Sequence, residues 1–360
     1  MPATIKERIP IRKADLKKVK LDDGIYKLAN ERELSVEELI VELEVEAGFD
    51  IDSQIAAFLD PIQRQLAAEG IILTGSSKFE DFFKTPTSKI LAPAFISREI
   101  AIGMRLGRNV VTLADLTATS QRIPSHAIEQ IALDTDGTDD EMKRIGEGTE
   151  MPVATIKTKE RPQKMKKVGR RIQATYESIR RTNIDTISLL LRRIGFRMGR
   201  QMAQEGLRVM IEGDGNTGSE AKETSTALFK YSDLVDLIYG RFDEGHEPTH
   251  VAIKPSFYLK LLTDDTNFKQ FSSVNLLEQF VKTGQAASWF GLQWRTHKSL
   301  PDNYAVAWEK DTCLAYYEEA ASSIVETDKI IAAQFNEVAV SLWFGFSKLF
   351  DQAAHSKKQS

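Results

Sequence analysis

The feature that most constrains the fold is a long, basic, strand-like stretch that leads into one long helix. Residues 153–176 form this stretch, and a glycine-flanked start at 146–149 precedes it. Ile172, Ala174 and Tyr176 alternate with polar residues, which is typical of a half-exposed strand. Few folds need these segments in this order, so the stretch predicts an exposed hairpin arm.

The helix after the arm is predicted to span residues 184–211. Asn183 is a suitable N-cap, and Gly213 lies where a C-cap glycine belongs. A helix of about 28 residues is about 42 Å long, which suits a spine that crosses a flat molecule. The predicted apolar stripe of this helix comprises Ile187, Leu190, Leu191, Ile194, Met198 and Met202.

Charge is segregated along the chain. Residues 157–208 hold 15 Lys and Arg against four acids, whereas the whole chain has a net charge of −4. This segregation suggests that copies of the chain contact each other, although a solvated face is the alternative for any run of charges. The proposed site residues are Lys157, Lys159, Lys164, Lys166, Lys167, Arg170 and Arg171 on the arm, for inter-subunit contact, and Arg192, Arg193, Arg197 and Arg200 on the helix.

Bulk properties exclude several classes of protein. With 360 residues, 42% apolar and 28% charged, the chain has the composition of an ordinary folded protein of two or three domains. Its slightly acidic balance argues against a dedicated nucleic-acid binder. The single cysteine, Cys313, excludes an intramolecular disulfide. Because no apolar N-terminal signal and no long apolar run is present, we expect a soluble, non-secreted protein that spans no membrane.

The first 78 residues are expected to be a helical arm or a scaffold-like segment. Residues 1–20 hold seven Lys and Arg against two acids, and residues 31–60 hold ten acids against one Arg. Ser35 with Glu38 is a capping box that starts one helix. A second helix is predicted over 51–68 and ends at Gly70. So short a segment is too small to hold a large core alone.

The rest of the chain predicts a mixed α and β body. Residues 79–116 are interpreted as extended segments and turns, because prolines and glycines interrupt them. Residues 134–141 are an acidic loop. The part from 228 to 320 alternates helix and strand signals, with helices at 232–239, from 255 and around 276–281, and strands at 250–253, 291–296 and 304–308. A strictly alternating strand at 338–346 is expected to pair with 329–335.

Two motifs match enzyme signatures in their letters. His246, Glu247 and His250 match the H-E-x-x-H zinc motif, but Pro248 breaks the helix that this chemistry needs, so we expect a loop that enters a strand. Residues 213–218 match G-x-G-x-x-G. They follow a helix and lead into a polar run up to 226, whereas a dinucleotide site follows a strand, so we expect a helix stop and a flexible loop.

Two further groups have chemical alternatives. The acids at 134–141 could hold a cation, but Gly137 comes too early for an EF-hand loop, so a solvated tip is expected. Cys313 lies among apolar and aromatic residues and is expected to be a small buried hydrophobe, not a nucleophile. The sequence therefore predicts no catalytic, cofactor-binding or metal-binding residue, no cofactor and no enzyme activity.

Together these segments resemble the major capsid proteins of tailed bacteriophages, which have the Hong Kong 97 fold. No single segment is specific, but the order of the segments over residues 79–350 is. The segments that carry the resemblance are 146–148 before the arm, 173–177 at its return, 202–206 in the helix, 212–215 at the helix end, 251–255, 291–294 and 300–306.

The resemblance implies an α+β fold with a peripheral domain, a long spine helix, an axial domain, an extended E-loop and an N-terminal arm. The implied segments are 1–78 as the N-terminal helical arm or scaffold-like segment, 79–133 as the first part of the peripheral domain, 134–176 as the E-loop, 177–227 as the spine helix with the second part of the peripheral domain, 228–318 as the axial domain and 319–360 as the peripheral return strands with a C-terminal tail.

The implied function is a major capsid protein that self-assembles into hexamers and pentamers of an icosahedral shell around phage double-stranded DNA. Implied partners are copies of the chain, the DNA bound without sequence specificity, and scaffolding, portal and decoration proteins, with no membrane. The implied location is the virion capsid, assembled in the host cytoplasm. An encapsulin-type nanocompartment shell is the alternative, and a metal-dependent hydrolase at 246–250 is a remote one.

Overall fold

The computed structural model forms two compact units. It describes residues 16, 18–22, 24–32, 34–73, 77–107, 109–124, 127–128, 131–134, 155–158, 163–175, 177, 181–214, 222–226, 228–240, 242, 245–263, 289–319, 324–330 and 335–359. Unit 1 comprises Met1–Gly103, Gly169–Gly195 and Ala320–Leu342, and unit 2 comprises Met104–Val168, Phe196–Glu319 and Trp343–Ser360. Helices and strands occur together throughout, which confirms the predicted α+β class.

The helices and strands are numbered here in chain order. The α-helices of the described residues are α1 (Ile25–Glu31), α2 (Val36–Glu46), α3 (Gln54–Phe58), α4 (Pro61–Ala68), α5 (Pro86–Met104), α6 (Leu113–Leu116), α7 (Ile184–Glu212), α8 (Tyr231–Tyr239), α9 (Pro255–Thr263) and α10 (Lys310–Cys313). The strands are β1 (Thr117–Ile123), β2 (Ala127–Ile128), β3 (Ile131–Asp134), β4 (Thr155–Thr158), β5 (Gln163–Lys164), β6 (Lys166–Thr175), β7 (Lys222–Thr226), β8 (His250–Ile253), β9 (Gln293–Thr296), β10 (Tyr304–Trp308), β11 (Leu314–Glu319), β12 (Ile324–Ile330), β13 (Phe335–Lys348) and β14 (Ala354–Gln359).

The N-terminal helices α1–α4 belong to unit 1. The predicted capping box is confirmed, because Ser35 accepts from the Glu38 amide at 3.2 Å and the Glu38 carboxylate accepts from the Ser35 amide at 2.7 Å. The single helix predicted over 51–68 is wrong, since it is divided into α3 and α4. Asp60 caps α4 and Pro61 occupies its first turn, where a missing N–H costs nothing.

A buried salt bridge holds α2 to α4. The Arg64 guanidinium lies 2.5 Å from the Glu44 carboxylate, and the two side chains are only 6% and 2% exposed. Gln65 also donates to Glu44 at 2.6 Å. The remaining Arg64 donor reaches the Leu59 carbonyl at 2.6 Å. A buried charge pair is tolerated when its hydrogen bonds are satisfied in this way, so these helices carry a small core of their own.

The prediction of extended structure over 79–116 is wrong. Phe79–Phe83 is a 3₁₀ turn, and α5 runs for 19 residues with Pro93 inside it. A proline in a helix breaks the hydrogen-bond ladder, and a side chain from α1 fills this break. The Tyr26 hydroxyl donates to the Ile90 carbonyl at 2.6 Å and accepts from the Ala94 amide at 3.2 Å. Tyr26 therefore takes the place of the helical bond between those two residues.

The long helix α7 agrees with its prediction within one residue. It ends at Gly213, whose φ of 89° suits a glycine C-cap. Leu191, Met198 and Met202 of the predicted stripe are buried, but Leu190 is exposed, so the stripe was wrong at that position. Successive helical residues point about 100° apart, and Leu191 takes the buried direction instead.

Two glycines let α5 and α7 touch through their backbones in unit 1. A Cβ added at Gly195 would lie 2.1 Å from the Ile100 carbonyl oxygen. One added at Gly103 would lie 2.2 Å from the Arg192 carbonyl oxygen. No side chain fits either gap, so the two helices cross at a distance that only glycine permits.

The first sheet has the order β1-β11-β13-β12, and β6 also pairs with β13. The strand β13 pairs with β12 through residues 335–341 and with β11 through 344–348. Its alternation is confirmed, because Leu342, Phe344 and Phe346 are buried. The sequence predicts residues 329–335 as the partner of this strand. The observed partner is β12, and Phe335 belongs to β13 itself.

The second sheet has the order β7-β14-β10-β8-β9 and lies in unit 2. The predicted bounds of β8 and β10 are confirmed. Trp294 of β9 and Val251 of β8 pack in one cluster with Leu237 of α8 and Phe257 of α9. Two of its strands correct the sequence interpretation. The sequence assigns 222–226 to a polar run and 354–359 to a tail, but these residues pair with each other as β7 and β14.

The arm returns on itself as two short antiparallel pairs in unit 2. The pairs are β2 with β5 and β3 with β4. The antiparallel pairing agrees with the predicted hairpin, but its outgoing strands β2 and β3 span 127–134, where the resemblance implies the peripheral domain up to 133. The helix predicted around 276–281 and most of the acidic loop at 134–141 lie outside the described residues.

Candidate assembly surface

The strand β6 exposes side chains on both of its faces. Lys166 and Arg170 point to one face and Lys167 and Arg171 to the other, because strand residues alternate, and all four are exposed. Lys164 of β5 is exposed as well. An ordinary sheet strand buries at least one face, so this part of the arm presents an uncovered basic surface.

Lys166 has a partner within its own chain. Its ammonium forms a salt bridge with the Glu205 carboxylate of α7. Arg208 also binds Glu205 at 2.6 Å and reaches Glu212 at 2.9 Å. Burial acts to raise the pKa of Glu205, but the hydrogen bonds from Arg208 and Lys166 outweigh it and hold that pKa below its ordinary value. The base of the arm is therefore fastened to α7 by charge.

The other arm cations differ in their surroundings. The Lys167 ammonium lies 5.5 Å from the centre of the Trp343 ring, within range of a cation–π interaction. Lys157 lies in β4, whose backbone alone is described, and Lys159 lies outside the described residues. The exposed basic side chains of this region are Lys164, Lys166, Lys167, Arg170 and Arg171, and we call them the arm surface.

The four arginines proposed on α7 differ in their exposure and in the groups that they contact. Arg193 and Arg197 are exposed. Arg200 is half-buried, and its guanidinium lies 5.6 Å from the centre of the Phe196 ring. Arg192 binds the carboxylate of Glu99 at 2.7 Å, and that carboxylate is 1% exposed.

Arg192 belongs to a chain of ion pairs inside unit 1. Arg98 bridges Glu99 on its own helix and Asp60 at the cap of α4. The row Asp60, Arg98, Glu99 and Arg192 thus links the N-terminal helices, α5 and α7. Arg192 therefore has a role in folding that sequence reasoning missed, because Glu99 lies 93 residues away.

The zinc-like motif does not form a helix. His250 lies in β8, and the residues from His246 to Thr249 are irregular. His246 Nδ1 lies 3.0 Å from the Glu309 carboxylate, whereas His250 stacks on Trp308 with ring centres 5.6 Å apart. Within the described part of the chain, no three His, Cys, Asp or Glu side chains are grouped as a metal site requires.

His250 instead helps to hold the partly buried carboxylate of Asp115. Its Nε2 lies 3.7 Å from Asp115, which also accepts from the Thr112 amide at 2.9 Å and from Arg295 at 3.2 Å. Burial acts to raise the pKa of Asp115, but these hydrogen bonds hold it well below its usual range. The Asp115 carbonyl accepts from the Trp308 indole at 2.9 Å. This cluster joins α6 to the second sheet.

Cys313 and the glycine-rich motif were the two other candidates for a chemical role. Cys313 is buried at the end of α10 among the strands of unit 2, as expected of a small hydrophobe. Residues 215–218 of the glycine-rich motif lie outside the described residues, and Gly213 ends α7. Of the helices that the structure describes, none has the length and apolar composition of a membrane span.

Similarity to known proteins is confined to solved structures. No protein-family model matches the chain, and no curated protein matches its sequence. The capsid of cyanophage P-SCSP1u is similar at 14% identity and a TM-score of 0.48, over 71% of this chain and 90% of that one. The capsid of a native GTA particle is similar at 15% identity and a TM-score of 0.49, over 71% and 93%. A virus-like particle from Pyrococcus furiosus is similar at 11% identity and a TM-score of 0.46, over 73% and 97%.

Proposed function

We propose that this chain is a shell protein of the Hong Kong 97 type. Its copies would assemble into hexamers and pentamers of an icosahedral shell around phage double-stranded DNA. The observation that carries the proposal is the arm surface, because β6 is extended over 10 residues yet exposes cations on both faces.

The physical argument concerns the cost of ordering the arm. Fixing the backbone of a residue costs about 1–2 kcal/mol, so a 10-residue strand costs on the order of 10–20 kcal/mol. Pairing with β13 offsets part of this cost. A strand with both faces exposed gains little from apolar burial. A neighbouring copy that covers the arm would supply the missing contacts.

The proposed roles of the segments follow the resemblance, with one change. We propose residues 134–176 as the E-loop over a neighbour, α7 as the spine, 228–318 as the axial domain and 79–133 with the return strands as the peripheral domain. The change is at two strands. Because β7 and β14 share the sheet of β8 and β10, we assign 222–226 and 354–359 to the axial domain.

Partners and location belong to the same proposal. Such a shell would bind DNA without sequence specificity and would assemble in the host cytoplasm with scaffolding and portal proteins. Decoration proteins would add to the outside of the finished virion capsid. No enzymatic step is required of the chain.

Sedimentation and negative-stain microscopy of the purified chain test this proposal. We expect capsomers or shells of one size, alone or with a scaffolding partner, and shells from infected cells that hold nuclease-resistant DNA. Shells that hold protein cargo and no nucleic acid would instead indicate a nanocompartment. A monomer at high concentration across a range of salt, with and without a scaffolding partner, would contradict both.

A further inference from the structure

Unit 2 exposes large aromatic side chains in two ring pairs. The Tyr239 and Phe242 rings have centres 4.9 Å apart, and the Phe350 ring lies 6.2 Å from the His246 ring. Tyr239 is 47% exposed, Phe242 is 41% exposed and Phe350 is 46% exposed. Aromatic side chains carry much of the binding energy of protein interfaces, so a group of exposed rings marks a contact surface.

One turn of the chain holds the two ring pairs close together. The Gly245 amide donates to the Phe242 carbonyl at 3.0 Å, and His246 follows directly. A turn closed in this way brings the Cα atoms at its ends within about 7 Å, and the next Cα is 3.8 Å further on, so the Phe242 and His246 backbones are at most about 11 Å apart. We name Tyr239, Phe242, His246 and Phe350 the aromatic patch, and all four belong to unit 2.

The exposed charges beside the aromatic patch are acidic. Two backbone hydrogen bonds of 3.0 and 3.1 Å, one at each end of α10, join this helix to residues 349–353, the segment that carries Phe350. Among the described residues of α10 and of the chain between α8 and β8, the exposed charged side chains are Glu247 and Asp311, whereas Lys310 is half-buried. The aromatic patch therefore has exposed rings and a negative edge.

A lysine from the arm has the chemistry that fits this patch. Ammonium groups bind the faces of aromatic rings, and the arm already makes such a contact, since the Lys167 ammonium lies 5.5 Å from the centre of the Trp343 ring. Lys164, three residues earlier on the arm, is exposed. The carbon stem of a lysine can cover apolar surface while its ammonium reaches a carboxylate. DNA does not fit, because an acidic edge repels its phosphates.

We propose that the aromatic patch of one copy binds Lys164 on the arm of a second copy. This contact rests on the proposed shell function and names the surface that receives the arm. The Lys164 stem would cover the exposed rings, and its ammonium would pair with Glu247. Two different surfaces meet in this contact, so each copy offers one of each and the contact repeats from copy to copy, as rings and shells require.

Reciprocal charge reversal tests the contact. Glu247→Lys and Lys164→Glu, each alone, should raise the concentration needed for self-association by about tenfold in sedimentation velocity, because attraction becomes repulsion. The variant with both changes should return close to wild type. Glu247→Lys combined with Lys298→Glu, which reverses an exposed lysine outside the arm, is the matched control and should show no rescue. Circular dichroism checks that every variant folds.

The rings have their own test. Phe242→Ser and Phe350→Ser should each weaken self-association by a similar factor, whereas Leu259→Ser, 62% exposed in unit 2, should not. If the wild type associates and the double charge reversal gives no rescue, the pairing is wrong while the shell function stands. Normal shells from both ring variants that fail to bind a decoration protein would assign the aromatic patch to that protein. A wild type that never self-associates would overturn the contact and the shell function together.

Discussion

The N-terminal helices and the arm hold their charges in opposite ways. Glu44 and Arg64 are almost completely buried and satisfy each other inside one chain. On the arm, Lys164, Arg170 and Arg171 are exposed beside a strand that buries little. Charges of the first kind determine whether the subunit folds. Exposed charges of the second kind contribute little to folding, and the role proposed for them is contact with another copy of the chain.

The largest effect is expected at the buried pair. Arg64→Ala leaves the Glu44 carboxylate buried with only Gln65 as a partner, so the free energy of unfolding should fall by about 3–5 kcal/mol. Denaturant unfolding of the subunit measures this change. Arg32→Ala, which removes an exposed pair with Glu42, is the matched control and should cost less than about 1 kcal/mol. Equal losses of unfolding free energy in the two variants would mean that the buried charge pair contributes no more to stability than the exposed pair.

The glycine crossing should give the next largest effect. A methyl group at Gly195 would lie 2.1 Å from the Ile100 carbonyl oxygen, so Gly195→Ala must push α5 and α7 apart. We expect a loss of about 1–3 kcal/mol in the free energy of unfolding. Gln201→Ala, at an exposed position of the same helix, should change it by less than about 0.5 kcal/mol. A stable Gly195→Ala subunit would show that the helices are not in backbone contact.

The Tyr26 hydroxyl should contribute a smaller amount. Tyr26→Phe removes the bridge across the break at Pro93 and should cost about 1 kcal/mol. Tyr239→Phe, at a half-exposed position, is the control. A Tyr26→Phe subunit as stable as wild type at neutral pH would mean that the backbone of α5 does not need the hydrogen bonds from the Tyr26 hydroxyl.

The same hydroxyl predicts a dependence on pH. Burial raises the pKa of Tyr26 from 10.0 to about 12. A raised pKa means that the folded state holds its proton more tightly, so this stabilisation is complete below pH 10 and is lost as the pH rises toward about 12. The difference in unfolding free energy between wild type and Tyr26→Phe should therefore narrow above pH 10. If this difference in unfolding free energy stays constant up to pH 12, the Tyr26 hydroxyl is exposed to water and its pKa is not raised.

The sequence could predict those features that depend on residues close together in the chain. The capping box of α2, the ends of α7 and the strands β8 and β10 follow from local caps and periodicity, and the structure confirms them. The helix α5 was missed because Pro93 is a helix breaker. The Tyr26 hydroxyl, which compensates for the break, lies 68 residues before Ala94 in the chain. The strands β7 and β14 were missed because their polar sequences show no apolar alternation.

The candidate assembly surface was likewise predictable only in the features that depend on local sequence. Composition alone located the cations on the arm and on α7. It could not reveal that Lys166 binds Glu205, which is 39 residues away, or that Arg192 binds the buried Glu99. Exposure of Leu190 was also hidden, because a leucine within a helical pattern is normally assigned to the core.

The smallest effect on folding and the clearest effect on assembly are expected at the arm. Lys166 and Lys167 already contact Glu205 and Trp343 of their own chain, so a sharper variant changes only Lys164 and Arg170 to Glu. Exposed charges contribute little to stability, and the free energy of unfolding should change by less than about 1 kcal/mol. Attraction to a neighbour becomes repulsion, so sedimentation should show folded subunits in place of capsomers or shells. Lys298→Glu, a charge reversal at an exposed position outside the arm, is the control and should still assemble. Normal shells from the double variant would mean that the arm surface is only solvated, whereas unfolded protein would mean that it belongs to the subunit's own structure.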